Sequence, residues 1–321
     1  MSKVIIETRN LKKYFSTSAG VVHAVDDVSL TINEGETLGV VGESGCGKST
    51  LGRTIIRLYE PTDGDVLFEG KSIVNMKEKE YSAVRRNMQM IFQDPYSSLD
   101  PRMSVSSIIA DPIRVNYRSM SAAQRQEKIE DIMELCGISP RLYNAYPHEM
   151  DGGRRQRVGL ARALALDPRF IVCDEPVSAL DVSIQAQILN LLMDLQAAKN
   201  LSYMFITHDL NVVRHISNYI MVMYMGQVVE YAERNDLFSH QYHPYTQALL
   251  SAIPSTNLSM RGRARKVIKG EVANPINPAP GCRFAPRCPY ATDKCRENQI
   301  MLEVEPNHFV ACHEATKGME K

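Results

Sequence analysis

The ten residues Val41-Gly42-Glu43-Ser44-Gly45-Cys46-Gly47-Lys48-Ser49-Thr50 restrict the fold more than any other part of the sequence. Gly42, four intervening residues and then Gly47-Lys48-Ser49 fit the phosphate-loop pattern G-x-x-x-x-G-K-[ST]. The apolar run Leu38-Gly39-Val40-Val41 before it reads as a short buried strand. After it, Leu51, Ile55, Ile56 and Leu58 recur at helical spacing. In a strand–glycine turn–helix, consecutive main-chain N–H groups converge on phosphate oxygens at the positive end of a helix dipole. Lys48 then reaches the β- and γ-phosphates, and the Ser49 hydroxyl ligates Mg²⁺.

The rest of the chain alternates strands and helices. Strands are expected at Val4–Thr8, Leu11–Phe15, Val25–Ile32, Val66–Phe68, Met88–Phe92, Phe170–Cys173, Tyr203–Thr207, Tyr219–Tyr224 and Gln227–Tyr231. From about 104 to 165 the pattern turns helical, with Pro112, Pro140 and Pro147 as breaks. Ile184, Ile188, Leu191, Leu192 and Leu195 mark a further helix. This alternation predicts an α/β fold with a largely parallel sheet. Past residue 240 the periodicity fades, and a basic run, Arg261 to Lys269, precedes a Pro/Asn linker at 273–280.

Composition excludes several classes. Lys+Arg and Asp+Glu are 37 each, so no overall field favours nucleic acid, and no nucleic-acid partner is expected. No apolar run reaches about 18 residues, and the start, Met1 to Glu7, lacks a signal-peptide core. The expected location is the cytosol, where seven cysteines do not form a disulfide framework.

A second acidic feature completes a nucleotide site. The apolar strand Phe170-Ile171-Val172-Cys173 ends in Asp174-Glu175, about 125 residues after Lys48. An aspartate there holds Mg²⁺, and the adjacent glutamate polarises the attacking water. With these motifs in this order, the chain resembles the nucleotide-binding subunit of an ABC transporter over about residues 4 to 240. The resemblance implies a P-loop ABC ATPase core with antiparallel strands and a helical subdomain at about 95–160. It also assigns roles. Gln93 matches the glutamine loop that touches Mg²⁺ and the membrane partner, Asp181 closes the D-loop Ser178-Ala179-Leu180-Asp181, and His208 is the switch histidine at the γ-phosphate. Tyr14 stands where the family stacks an aromatic ring on adenine.

The signature motif departs from the family's Leu-Ser-Gly-Gly-Gln, reading Met150-Asp151-Gly152-Gly153-Arg154. In the family two subunits pair head to tail, and the signature of one covers the phosphate loop of the other. An ionised Asp151 cannot donate to the γ-phosphate and repels it, by up to about 4 kcal/mol for one charge pair at about 4 Å and an effective dielectric near 20. Arg154 and Mg²⁺ offset part of this. The expectation is an asymmetric heterodimer with an impaired site under Asp151; a neutral substitution rescued by Arg154 is the alternative.

Two further stretches, Phe92-Gln93-Asp94-Pro95-Tyr96-Ser97-Ser98-Leu99-Asp100-Pro101-Arg102 and Gln241-Tyr242-His243-Pro244-Tyr245-Thr246-Gln247-Ala248-Leu249-Leu250, resemble the oligopeptide, dipeptide and nickel importers. This implies an extension at 241–321, two transmembrane permease subunits, a second ATPase subunit, a peptide-binding protein acting indirectly, and a place at the cytoplasmic face of the membrane. His243 is expected to be a structural histidine rather than a metal ligand. Cys282, Cys288, Cys295 and Cys312 are separated by five, six and sixteen residues. They suggest one thiolate site without the C-x₂-C pairs of zinc ribbons. The resemblance implies a [4Fe–4S] cluster; zinc or four unligated thiols are the alternatives. Few apolar residues lie nearby, so a metal would supply folding energy. Cys46 lies where a bulky adduct would block ATP, and Cys136 and Cys173 read as core residues. The reading is an ATPase subunit of a peptide importer. A nickel importer ATPase, a soluble ABC ATPase outside transport, or a metal-site module with a decayed ATPase are the other options.

Overall fold

The computed structural model describes residues 3–94, 96–252, 270 and 275–315. Pro95, the basic run 261–269 and linker residues 273 and 274 lie outside the described residues. The chain divides into two compact units. One comprises Met1–Ile5, Ile32–Glu36 and Phe68–Ile206; the other Ile6–Thr31, Thr37–Leu67 and Thr207–Lys321.

In the first unit Met88–Ile91, Phe170–Asp174 and Ser202–Ile206 form adjacent parallel strands. Phe170–Asp174 and Ser202–Ile206 are buried along their whole length, as expected of parallel strands covered on both faces. The register pairs Ile91 with Cys173 and Asp174 with Ile206. Residues 92–94 and Glu175 therefore leave the sheet at the same carboxyl edge, where open α/β sheets bind ligands. Helices Glu78–Arg85, Val105–Asn116, Ala122–Leu135, Gly152–Leu164 and Val182–Lys199 belong to this unit. Pro112 does not break its helix as expected: Val105–Asn116 runs through it, and the Asn116 amide donates to the Pro112 carbonyl at 2.9 Å.

In the second unit the phosphate strand Thr37–Val41 pairs in parallel with Tyr219–Tyr224. Gln227–Glu233 then runs antiparallel beside Tyr219–Tyr224. A separate sheet places Gly20–Asn33, Val4–Thr17 and Asp63–Phe68 side by side. The two short first strands expected from sequence are one, Val4–Thr17.

The region past 240 is more ordered than its fading periodicity suggests. Pro244–Ser251 is a helix, and the hairpin Leu302–Glu305/His308–Val310 adds to Gln227–Glu233, pairing Glu230 with Val310. Buried His308 and Glu230 meet there at 2.8 Å, and the Glu230 carboxylate also accepts from the backbones of Tyr242 and His243. The extension also has an apolar anchor that its composition concealed. Phe284, 2% exposed, packs with Tyr224 and Tyr245 in the same core, and Cys282 and Cys288 lie against that cluster.

Candidate nucleotide site

The phosphate loop leaves the end of its strand and enters helix Lys48–Ile55. A Cβ at Gly42 would come within 2.2 Å of the Met223 carbonyl, and one at Gly47 within 2.0 Å of the Ala24 carbonyl. Both glycines have positive φ, 154° and 106°, so only glycine allows this path. Gly47 is the helix N-cap and offers no side chain to it. No capping side chain competes with an anion for the amides of the first turn. Ser44 and Gly45 are exposed, Ser49 and Thr50 half-buried, and Cys46 buried.

Lys48 is only 4% exposed. Its ammonium donates to the carbonyls of Gly42 at 2.8 Å and Glu43 at 2.9 Å. Its third N–H points at Cys46 Sγ at 3.8 Å, a weak acceptor that a phosphate oxygen would replace. Burial raises the Cys46 thiol pKa, with Lys48 opposing.

The loop is braced from outside. Glu43 N–H donates to the Tyr245 hydroxyl at 2.8 Å, and the Arg287 guanidinium binds the Glu43 carboxylate at 2.8 Å. Tyr14 stacks on His23, with ring centroids 3.9 Å apart, and its hydroxyl donates to Asp26. Arg283 also binds Asp26. Burial works against the Asp26 charge, yet Tyr14, Arg283 and His23 together hold its pKa below the ordinary value. Thr207 N–H donates to the Val40 carbonyl at 3.2 Å. His208 follows on an exposed turn, beyond the same end of the sheet as the phosphate loop.

In the other unit Asp174 is fully buried at its strand end. Glu175 adopts φ 46°, a left-handed conformation costly for a non-glycine residue, on the order of 1–3 kcal/mol. Its N–H donates to the Ile206 carbonyl at 2.9 Å, and its carbonyl accepts from the Ser178 hydroxyl at 3.1 Å. Gln93 Nε2 donates to the Glu175 carboxylate at 3.0 Å. The parallel register brings these two residues, 82 positions apart, together.

Asp151 is the N-cap of helix Gly152–Leu164; its carboxylate accepts from Arg154 N–H at 2.8 Å and lies 3.4 Å from the Arg154 guanidinium. Both side chains are more than half exposed, so the ion pair itself contributes little. A Cβ on Gly152 or Gly153 would meet Leu180 or Ile184, placing the signature turn against the exposed Asp181 turn and its helix.

The four late cysteines share one folded segment. Cys282 N–H donates to the Cys295 carbonyl at 2.8 Å, and Thr292 N–H points at Cys295 Sγ at 3.5 Å. Burial pushes the Cys282 thiol up to about 11 and raises Cys288 and Cys312, with neighbouring cysteines adding to each shift. Among the described residues, no three His, Cys, Asp or Glu side chains are gathered tightly enough to hold a metal ion. Cys136 and Cys173 are core residues at 0% exposure, as expected. His243 is buried and structural: its Nδ1 accepts from Tyr245 N–H at 3.1 Å, and burial lowers its pKa to about 3. Sequence reasoning missed Arg283 and Arg287, since nothing in one sequence shows that residues about 250 positions apart meet.

The sequence profile of the ABC transporter family matches residues 25–178. The profile described as "Oligopeptide/dipeptide transporter, C-terminal region" matches 229–295. A solved structure of the ATP-binding cassette MJ0796 with ADP and phosphate, described as dimeric, is 29% identical with TM-score 0.66, covering 72% of this chain and 99% of that one. The fold and the phosphate loop are thus those of an ABC-type ATPase. Oligopeptide transport ATP-binding protein AppF of Bacillus subtilis is 51% identical, covering 97% of each chain. Oligopeptide transport ATP-binding protein OppF of Escherichia coli is 48% identical, over 97% of this chain and 96% of that one. Dipeptide transport ATP-binding protein DppF of Haemophilus influenzae is 46% identical, over 96% of both. At such identity over nearly full length, the chain belongs to the ABC transporter ATP-binding proteins of the oligopeptide/dipeptide group.

Proposed function

We propose that this chain hydrolyses ATP to energise uptake of dipeptides or oligopeptides through a membrane permease. The similarity to transport ATP-binding proteins along both the cassette and the C-terminal region carries this reading. In it, the loop Gly42 to Thr50 binds the phosphates, Lys48 and His208 stabilise the γ-phosphate, and Tyr14 faces adenine. Glu175 polarises water. Its hydrogen bond to Gln93 and its strained backbone support a preset orientation. Ser49, Gln93 and Asp174 are the residues that would hold Mg²⁺, an ion that neutralises phosphate charge when bound. Asp181, Gly152 and Gly153 belong to the surface that closes over a partner's nucleotide.

The partners in this reading are two transmembrane permease subunits and a second ATPase subunit, with a peptide-binding protein upstream. Residues 1–240 form the ATPase core and 241–321 the extension. The protein works at the cytoplasmic face of the membrane as a peripheral subunit; among the described residues no helix is long and apolar enough to cross it. Asp151 makes the site it covers the impaired one of an asymmetric pair. Four thiols are a soft donor set of the kind that takes iron–sulfur or zinc, although their side chains would have to draw closer than they stand to hold either. Cys282, Cys288, Cys295 and Cys312 would hold a [4Fe–4S] cluster, with zinc as the alternative, and the group would serve to fix the extension. Absorbance near about 400 nm with iron analysis after anaerobic purification tests the cluster; a colourless zinc-loaded protein contradicts it.

Co-expression with the permease and partner ATPase in membrane vesicles tests the main reading. ATPase activity and peptide uptake should both depend on Lys48. Uptake that persists without ATP hydrolysis by this chain would remove it.

A further inference from the structure

We infer that Arg287 is a positioning residue for the phosphate loop, and that the turn bounded by Cys282 and Cys288 thereby sets how tightly this chain holds a triphosphate. This rests on the nucleotide-binding reading above and adds to it a role for the extension.

Glu43 lies inside the phosphate loop, and its carboxylate is an awkward neighbour for a polyanion. Arg287 neutralises it. The guanidinium donates to Glu43 at 2.8 Å and to the Tyr224 hydroxyl at 3.2 Å, and it lies 5.9 Å from the Tyr224 ring centroid. The Arg287 side chain is 8% exposed and that of Glu43 24%, so water screens the pair poorly. Glu43 is held at its main chain too, by the Tyr245 hydroxyl at 2.8 Å. Its carbonyl in turn accepts from the Lys48 ammonium at 2.9 Å. A path of direct bonds therefore runs from Arg287 through Glu43 to the lysine that meets phosphate.

The turn that carries Arg287 is built to hold it still. Ala285 N–H donates to the Cys282 carbonyl at 3.1 Å, Arg287 N–H to Phe284 at 2.9 Å and Cys288 N–H to Ala285 at 3.2 Å. Phe284 plugs the turn into the core, 5.3 Å from the Tyr224 ring and 5.4 Å from that of Tyr245. At the other end of the same turn, Arg283 binds Asp26 and the Met225 carbonyl. Asp26 holds the Tyr14 hydroxyl, and the Gly226 N–H donates to the Cys46 carbonyl at 2.8 Å. One turn, bracketed by two of the four late cysteines, thus reaches both the phosphate loop and the tyrosine beside it.

Titration of the full-length chain with magnesium and a fluorescent non-hydrolysable ATP analogue tests this. Arg287→Ala is expected to bind about tenfold more weakly than wild type, as loss of a charge-assisted pair implies. Arg287→Lys should lose no more than about threefold, because the neutralising charge stays. Adding Glu43→Gln to Arg287→Ala should recover most of the affinity, which a purely structural role of Arg287 would not allow. Cys288→Ser should weaken binding in the wild-type background and add nothing to Arg287→Ala. Equal affinity of wild type and Arg287→Ala overturns the inference, as does a loss that Glu43→Gln does not relieve. If wild type itself binds no analogue, the nucleotide-binding reading fails instead.

Discussion

Helices Lys48–Ile55 and Gly152–Leu164 both start from glycine-rich turns, and the cap residues of both turns precede apolar faces packed in a core. They use the positive end of the helix dipole in opposite ways. The first is capped by Gly47, which supplies no side chain to compete with an anion at that end. The second is capped by Asp151, whose carboxylate already takes the Arg154 amide. One helix start is built to receive negative charge and the other carries its own. A glycine-rich turn can thus keep its shape while its cap residue gains a negative charge. Asp is as good an N-cap as Ser, so the fold of the signature helix tolerates a change that a triphosphate at the same place would feel.

The two turns should differ most in how they tolerate a Cβ. Gly47→Ala forces a Cβ to within 2.0 Å of the Ala24 carbonyl at a φ of 106°. Nucleotide affinity should fall by roughly a hundredfold, given strain of about 1–3 kcal/mol plus displaced amides. Gly152→Ala meets only the flexible end of Leu180 at 3.1 Å, and its melting temperature should stay near that of wild type. Similar thermal and binding losses for both variants would erase the distinction.

A third helix start sharpens it. Pro244–Ser251 is capped by the neutral ring of His243. Its folded pKa, lowered by burial to about 3, lies below the unfolded value near 6.5. Above about pH 6.5 the ring is neutral in both states and folding is not penalised. Below it only the unfolded chain takes the proton, so stability falls until the pH reaches the folded value. By pH 5 the loss should be about 2 kcal/mol. Urea unfolding at pH 8 and pH 5 should show a smaller drop in His243→Gln than in wild type; an equal drop contradicts the assignment.

The smallest effects separate capping from catalysis at Asp151. Asp151→Ser should leave stability within about 0.5 kcal/mol, whereas Asp151→Ala should lose about 1 kcal/mol. In the assembled transporter Asp151→Ser should raise the ATPase rate severalfold. No gain in rate would count against the asymmetry and leave Asp151 as a cap alone.

The segments that carry the candidate site were legible in sequence because each is local. A phosphate loop is ten consecutive residues, and Asp174-Glu175 closes an apolar run that could only be a buried strand. The strands at Tyr219–Tyr224 and from Gln227 onward also stood where alternation placed them. What stayed hidden depends on distant pairing. The contact between Gln93 and Glu175 follows from parallel register, which one sequence does not state. The hairpin at 302–310 is too short for periodicity to reveal, and its strands gain from pairing with Gln227–Glu233. Phe284, which no periodicity marks, packs against Tyr224 and Tyr245. The helix runs through Pro112 despite the lost backbone bond and the ring's crowding of the preceding turn, with Ile108, Ile109 and Ile113 buried around it.

In the proposed function Glu175 acts on a nucleotide held by the phosphate loop under a partner subunit. The most direct measurement is nucleotide retention by Glu175→Gln in the complex purified with its partner ATPase. Hydrolysis should fall by a hundredfold or so, while ATP and magnesium remain bound in a closed pair that survives gel filtration. A variant that still turns over at the wild-type rate, or a pair that retains no ATP, would contradict it.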